Sequence, residues 1–166
     1  MKLKRREPNV ASADREAAAI ENQQRDVRVS LPPLQKFLAR MNRELKLARG
    51  TMAVRLIADA QMARLNRTYR GKPKSTDVLS FPAEARQKPA RRWSAAGKRR
   101  SAYLGDVAIS PVVARRNAKR FGRTLPEELQ ILILHGALHL LGYDHEVDDG
   151  EMERIEMKLR RRLGIV

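Results

Sequence analysis

Apolar positions recur at spacings of three and four across Leu34, Phe37, Leu38, Met41 and Leu45, which predicts an amphipathic helix with one buried stripe. Pro32 and Pro33 open it, where the missing amide hydrogens have no intrahelical use, and Gly50 is expected to close it. Asp26 to Ser30 alternates and predicts a first strand; Thr51 to Ala58 predicts a second, mostly buried one. Asp59 is expected to cap a helix over Ala60 to Tyr69, with Met62, Leu65 and Tyr69 inward and Gly71 and Pro73 as its stop. Thr76 to Phe81 reads as a short third strand ended by Pro82, and Tyr103 to Ile109 as a fourth.

Ser110-Pro111 then starts a helix with Val112, Val113, Ala114 and Phe121 as its apolar contributions, ended at Gly122. Thr124-Leu125-Pro126-Glu127 has capping-box spacing. The helix after it is apolar on all sides from Leu129 to Leu141, as a helix buried in a core must be. A last helix from about Asp148 to Leu163 turns Met152, Ile155, Leu159 and Leu163 inward. Strands and helices are mixed, with no internal repeat. The predicted fold class is α+β: a four-stranded mixed sheet packed against several helices, with a central metal-binding helix.

That central helix carries the chemistry. All three histidines of the chain lie in His135-Gly136-Ala137-Leu138-His139-Leu140-Leu141-Gly142-Tyr143-Asp144-His145. His135 and His139 are four apart and share one helical face. Gly142 suits a left-handed helix terminus, after which the chain can return His145 to the same point. A lone histidine on an apolar face is an ordinary buried imidazole. Three at this spacing, with a glycine between, predict a site for one divalent metal held by His135, His139 and His145, with a further position open. Imidazole suits zinc, nickel, copper and iron alike; zinc is favoured by prevalence. The spacing equals that of H-E-x-x-H-x-x-G-x-x-H metallopeptidases, but Gly136 stands where those enzymes keep their general base.

The chain has 35 Lys+Arg against 19 Asp+Glu, a net charge of +16, and no cysteine. The charge points to a polyanionic partner, nucleic acid before an acidic membrane surface. Lack of cysteine excludes disulfides and thiolate metal sites. No apolar segment follows the basic start and no run reaches the ~18 residues of a spanning helix, so the chain reads as cytoplasmic, with no membrane partner. Residues 1–24 read as a mobile basic extension and 25–166 as one domain. Within it, residues 84–101 form a basic loop with Arg86, Lys88, Arg91, Arg92, Lys98, Arg99, Arg100 and the only tryptophan, Trp93. Such a loop is a solvated charge run or an arm that meets phosphates while Trp93 stacks on a base.

The histidine string resembles the signature of the YbeY endoribonucleases, bacterial ribosomal-RNA maturation factors. Leu65 to Lys72 running into Ser75 to Pro82, and Leu104 to Ser110, are similar to two further segments of that family. The resemblance covers roughly residues 25–165, with a long basic departure at 84–101. It implies the same α+β architecture and a zinc-dependent endoribonuclease for single-stranded ribosomal RNA precursors. It also implies action in ribosomal RNA maturation and quality control, with the ribosome or small-subunit ribosomal proteins as partners and no small-molecule cofactor. Arg70, by position alone a cation favourable at a helix C-terminus, falls where the family has its functional arginine, and the resemblance makes it catalytic. Asp144 reads as a turn residue or as an orienter of a histidine; Asp77 and Asp106 lie in family-like segments without an assigned role. The rival readings are a zincin-type metallopeptidase and a non-enzymatic RNA- or ribosome-binding protein with a structural metal.

Overall fold

Four strands make one sheet in the order β1-β2-β4-β3: β1 (Ile20–Asn22), β2 (Met52–Leu56), β3 (Val78–Pro82) and β4 (Gly105–Ile109). The computed structural model describes residues 19–83 and 102–165. β1 and β4 both run parallel to β2, and β3 pairs antiparallel with β4, so the sheet is mixed as predicted. Five helices complete the described chain: α1 (Leu31–Glu44), α2 (Asp59–Arg70), α3 (Pro111–Arg120), α4 (Leu125–Leu140) and α5 (Glu151–Leu163).

Alternation along the strands divides two apolar layers. Met52, Val54 and Leu56 of β2 and Val107 and Ile109 of β4 face a large core filled by α1, α4 and α5. Ala108 and Leu79 face the other way, onto Ile57 and Met62, with Leu65 and Phe81 at the margin. Helix α4 lies inside the large core, which is why it is apolar all round; Leu129, Ile133, Leu134, Ala137 and Leu138 are at most 1% exposed. The α1 stripe predicted from spacing, Leu34, Phe37, Leu38, Met41 and Leu45, is buried throughout.

Several local expectations are corrected. The first strand is Ile20–Asn22, in register with Val54 to Leu56, and not Asp26 to Ser30. The sheet therefore begins before residue 25, inside the segment assigned to the extension. Val27 is buried as its alternation demands, but a side chain satisfies its backbone. The Gln24 amide accepts from Val27 N–H at 2.9 Å and donates to Val27 C=O at 2.8 Å. Helix α1 ends at Glu44, well before Gly50, and Lys46 takes the left-handed turn at φ 54°. Asp59 does not cap α2; Ala58 is the N-cap, and Asp59 accepts from Ser110 Oγ at 3.1 Å, tying α2 to the start of α3. Tyr69 and Phe121, both expected to face inward, are exposed, and the Arg120 and Arg123 guanidinia lie over the Phe121 ring. The Ser110 cap of α3 and the Thr124–Glu127 capping box of α4 are formed as expected. Residues 1–18 and the basic loop at 84–101, with Trp93, lie outside the described residues.

Candidate metal centre

Two devices carry the three histidines to one point. His135 and His139 occupy the last two turns of α4. Beyond Leu141 the chain reverses at Gly142, whose φ of 96° suits glycine, and the Tyr143 N–H reaches back to Leu138 C=O at 3.1 Å. Asp144 then accepts from the Glu146 N–H at 3.0 Å, closing a turn that returns His145 towards the helix. Its ring centroid lies 5.4 Å from that of His135 and 5.2 Å from that of His139. One ring nitrogen from each histidine lies within 4.8 Å of the others.

The hydrogen bonds decide which nitrogens are free. His135 Nδ1 is 2.8 Å from Glu156 Oε2, and His139 Nδ1 is 3.0 Å from Tyr143 C=O. A carboxylate and a carbonyl only accept, so both Nδ1 atoms carry hydrogen, and a neutral ring then has a lone pair at Nε2. The two Nε2 atoms face each other at 3.2 Å. Two lone pairs at that distance repel unless a cation lies between them. Zn–N bonds of 2.0–2.1 Å in a tetrahedron set the nitrogen–nitrogen edge at about 3.3 Å. The pair from α4 already has that spacing. The donor set fits one divalent ion.

Burial lowers the His139 pKa, and the neighbouring His135 and His145 lower it further, so this imidazole stays neutral and available as a donor. For Glu156, burial acts to raise the pKa, but the hydrogen bond from His135 and the charge and hydrogen bond of Arg160 outweigh it and hold the carboxyl below its ordinary value. Glu156 also accepts from the Arg160 guanidinium, which anchors the carboxylate from its other oxygen. It is the residue that sequence reasoning passed over. Its signal was an acidic side chain at helical spacing among the inward positions Met152, Leu159 and Leu163 of α5. The orienting role considered for Asp144 is filled by Glu156 and the Tyr143 carbonyl, and Asp144 is a turn residue.

Gly136 is fixed by packing. A Cβ there would come within 2.6 Å of Val107 Cγ1, and Ser80 Oγ donates to Gly136 C=O at 3.1 Å. The residue between the first histidine and the rest of the motif therefore faces the sheet at closest approach. A carboxylate side chain there would have to displace Val107 before it could serve the histidines.

These groups open onto a cleft of about 1200 Å³ beside β3, the last strand of the sheet among the described residues, between the end of α2 and the turn after α4. Arg70, the last residue of α2, lines it together with His135, His139 and His145. Arg70 Nη2 reaches Glu146 Oε1 at 2.9 Å, and both side chains are exposed. Asp77 and Asp106 also line the cleft, each already bonded. Asp77 accepts from Val78 N–H at 2.8 Å and Asn117 Nδ2 at 3.0 Å. Asp106 accepts from Tyr103 at 3.0 Å.

An α+β fold with a cleft that gathers three imidazoles and a guanidinium has the groups that metal-assisted hydrolysis of phosphate esters uses. Comparison with known proteins gives the family. The profile of "Endoribonuclease YbeY" matches residues 19–164. Proteins of that name from Solibacter usitatus and Koribacter versatilis are 42% and 43% identical over 135 and 137 residues. Those alignments cover 81% and 82% of this chain and 80% of each relative. Another, from Moorella thermoacetica, is 38% identical over 89% of this chain and 97% of its own length. The chain belongs to the YbeY endoribonuclease family and is, by that membership, a nuclease. Among the described residues, no helix is long and apolar enough to cross a membrane.

Proposed function

We propose that this protein is a metal-dependent endoribonuclease that cuts single-stranded RNA in the maturation of ribosomal RNA precursors and in ribosome quality control. His135, His139 and His145 would hold one divalent ion, zinc by the chemistry and prevalence of imidazole sites, and Arg70 would bind the scissile phosphate. The reaction takes place in the cytoplasm, with the ribosome or its small-subunit proteins as partners and no small-molecule cofactor. The observation that carries the reading is the pair of Nε2 atoms facing each other at 3.2 Å, each ring held at its Nδ1 by an acceptor behind it.

When bound, the metal supplies Lewis-acid polarisation and a source of hydroxide near neutral pH. Glu156 and the Tyr143 carbonyl keep the Nδ1 protons in place and the Nε2 donors turned to the cleft. Arg70 presents a planar fork that matches two phosphate oxygens and stabilises charge that grows on them. Glu146 holds that fork in the free protein and must give way to the phosphate. A peptidase reading would need a general base at the position of Gly136, where Val107 excludes one. A structural metal would call for a fourth protein ligand, and the cluster found among the described residues has three.

The test is cleavage of a defined single-stranded RNA by the purified protein, beside the same sequence in a duplex. Each is run with chelator and again after a divalent ion is restored. Loss on chelation, return with the ion, and preference for the single strand support the proposal. Cleavage indifferent to chelator, or equal on the duplex, refutes the corresponding part.

A further inference from the structure

The cleft has an aromatic wall that the metal centre does not use. Aromatic residues are 4% of the chain, and Phe37 and Tyr143 are buried. Tyr69, Phe81 and Tyr103 instead line the same cleft as the histidines and Arg70. Tyr69 is 65% exposed, an uncommon state for a large ring at a helix end. It meets Phe81 edge-on, with centroids 5.0 Å apart and planes at 74°. That contact braces Tyr69 on one side while most of the residue stays open to solvent. Its sequence neighbour is Arg70, and Arg64, Arg67, Lys72 and Lys74 lie exposed along the same stretch.

We infer that Tyr69, backed by Phe81, is a stacking platform for an unpaired nucleobase of the RNA whose scissile phosphate meets Arg70 and the histidines. The inference rests on the nuclease reading and deepens it. A flat, sequence-tolerant π-face beside a phosphate-binding guanidinium, in a fringe of cations, is the combination that binds single strands. Stacking needs a base released from its partner, and a base within a duplex offers no free face. The platform therefore accounts for preference for single-stranded RNA by a binding term that is separate from the chemistry at the histidines. Because every base has a π-face, the subsite selects for unpairedness and not for sequence.

The experiment measures affinity by fluorescence anisotropy for an end-labelled single-stranded RNA and for a set in which one nucleotide at a time is abasic. Binding is read on ice within the time for which gel analysis shows the strand intact, and cleavage is followed separately at longer times. Parent, Tyr69→Phe and Tyr69→Ala proteins are compared, with thermal melting of each. In the parent, one abasic position should weaken binding more than its neighbours. Tyr69→Ala should weaken binding of the intact strand roughly 5- to 150-fold and should be indifferent to that same abasic position. Tyr69→Phe keeps the π-face and should bind like the parent. A merely structural tyrosine would lower the melting temperature and leave the abasic profile unchanged. If the parent binds and cuts the strand while Tyr69→Ala retains the parent's abasic profile, the platform is refuted and the nuclease reading stands. If the parent neither binds nor cuts single-stranded RNA, both fall.

Discussion

Gly136 offers a sharp test of how α4 is seated, because its nearest neighbours across the contact belong to the sheet. A methyl group at this position would lie 2.6 Å from Val107 Cγ1, 2.9 Å from Cγ2 and 3.2 Å from Ser80 Oγ. Carbon atoms in ordinary contact stand about 3.5–4.0 Å apart. Val107 is 0% exposed in the middle strand β4 and cannot swing into solvent. Overpacking of this kind costs about 1–3 kcal/mol. Alanine offsets about 1 kcal/mol of that through its better helix propensity. Gly136→Ala should therefore be destabilising by about 0–2 kcal/mol. The sign should reverse when the obstacle is removed: in a Val107→Ala background the new methyl enters the space left by the valine, and Gly136→Ala should stabilise by about 1 kcal/mol or more. Urea unfolding of the four proteins, read as midpoints at constant slope, gives the coupling directly. If Gly136→Ala stabilises both backgrounds equally by the propensity term, α4 does not approach β4 as described. The exclusion of a glutamate from this position would then lose its physical basis.

Arg70→Ala should lower kcat/KM for RNA by on the order of a hundredfold to a thousandfold without loss of metal or stability, with Arg70→Lys only a partial rescue because the ammonium lacks the fork. Full activity of Arg70→Lys in a single-turnover assay would rule out bidentate contact. Glu156→Gln should weaken metal binding roughly 10- to 100-fold, read by competition with a chromophoric chelator; unchanged affinity would reduce Glu156 to a packing residue. Thr124→Ala should cost about 1 kcal/mol by loss of the α4 cap. The backbone hydrogen bond of Thr124, ahead of its side-chain bond, lowers the Glu127 pKa. Its stabilisation is thus present above the unfolded carboxylate pKa and lost as pH falls through the lower folded value. Glu127→Gln should show less acid destabilisation than the parent across that range in urea midpoints; an unaltered pH profile would contradict the capping box.

What was legible in the sequence follows from how local its cause is. The α1 stripe, the Ser110 cap and the Thr124–Glu127 box depend on residues within one or two turns, and each was read at the right residues. The histidine motif is also local, since spacing plus Gly142 places all three rings. Strand β1 was misplaced because a three-residue edge strand has almost no period to read, whereas Val27 and Val29 alternate clearly. Val27 is buried, but Gln24 supplies the hydrogen bonds that a neighbouring strand would have given. Burial pattern alone cannot distinguish those two partners. Asp59 was read as a cap because the chemistry of aspartate permits it; Ser110, distant in sequence, claims its carboxylate. Glu156 escaped notice for the same reason: its partner His135 is on another helix, and only its position on the apolar face of α5 hinted at burial.

The central claim is that His135, His139 and His145 together hold one divalent ion on which RNA cleavage depends. Elemental analysis of parent and His139→Ala proteins, each assayed on the same single-stranded RNA, tests it most directly. The account predicts about one metal per parent molecule, loss of most of it in His139→Ala, and loss of cleavage in the same proportion. Full metal content in His139→Ala, or full cleavage without the metal, would contradict it.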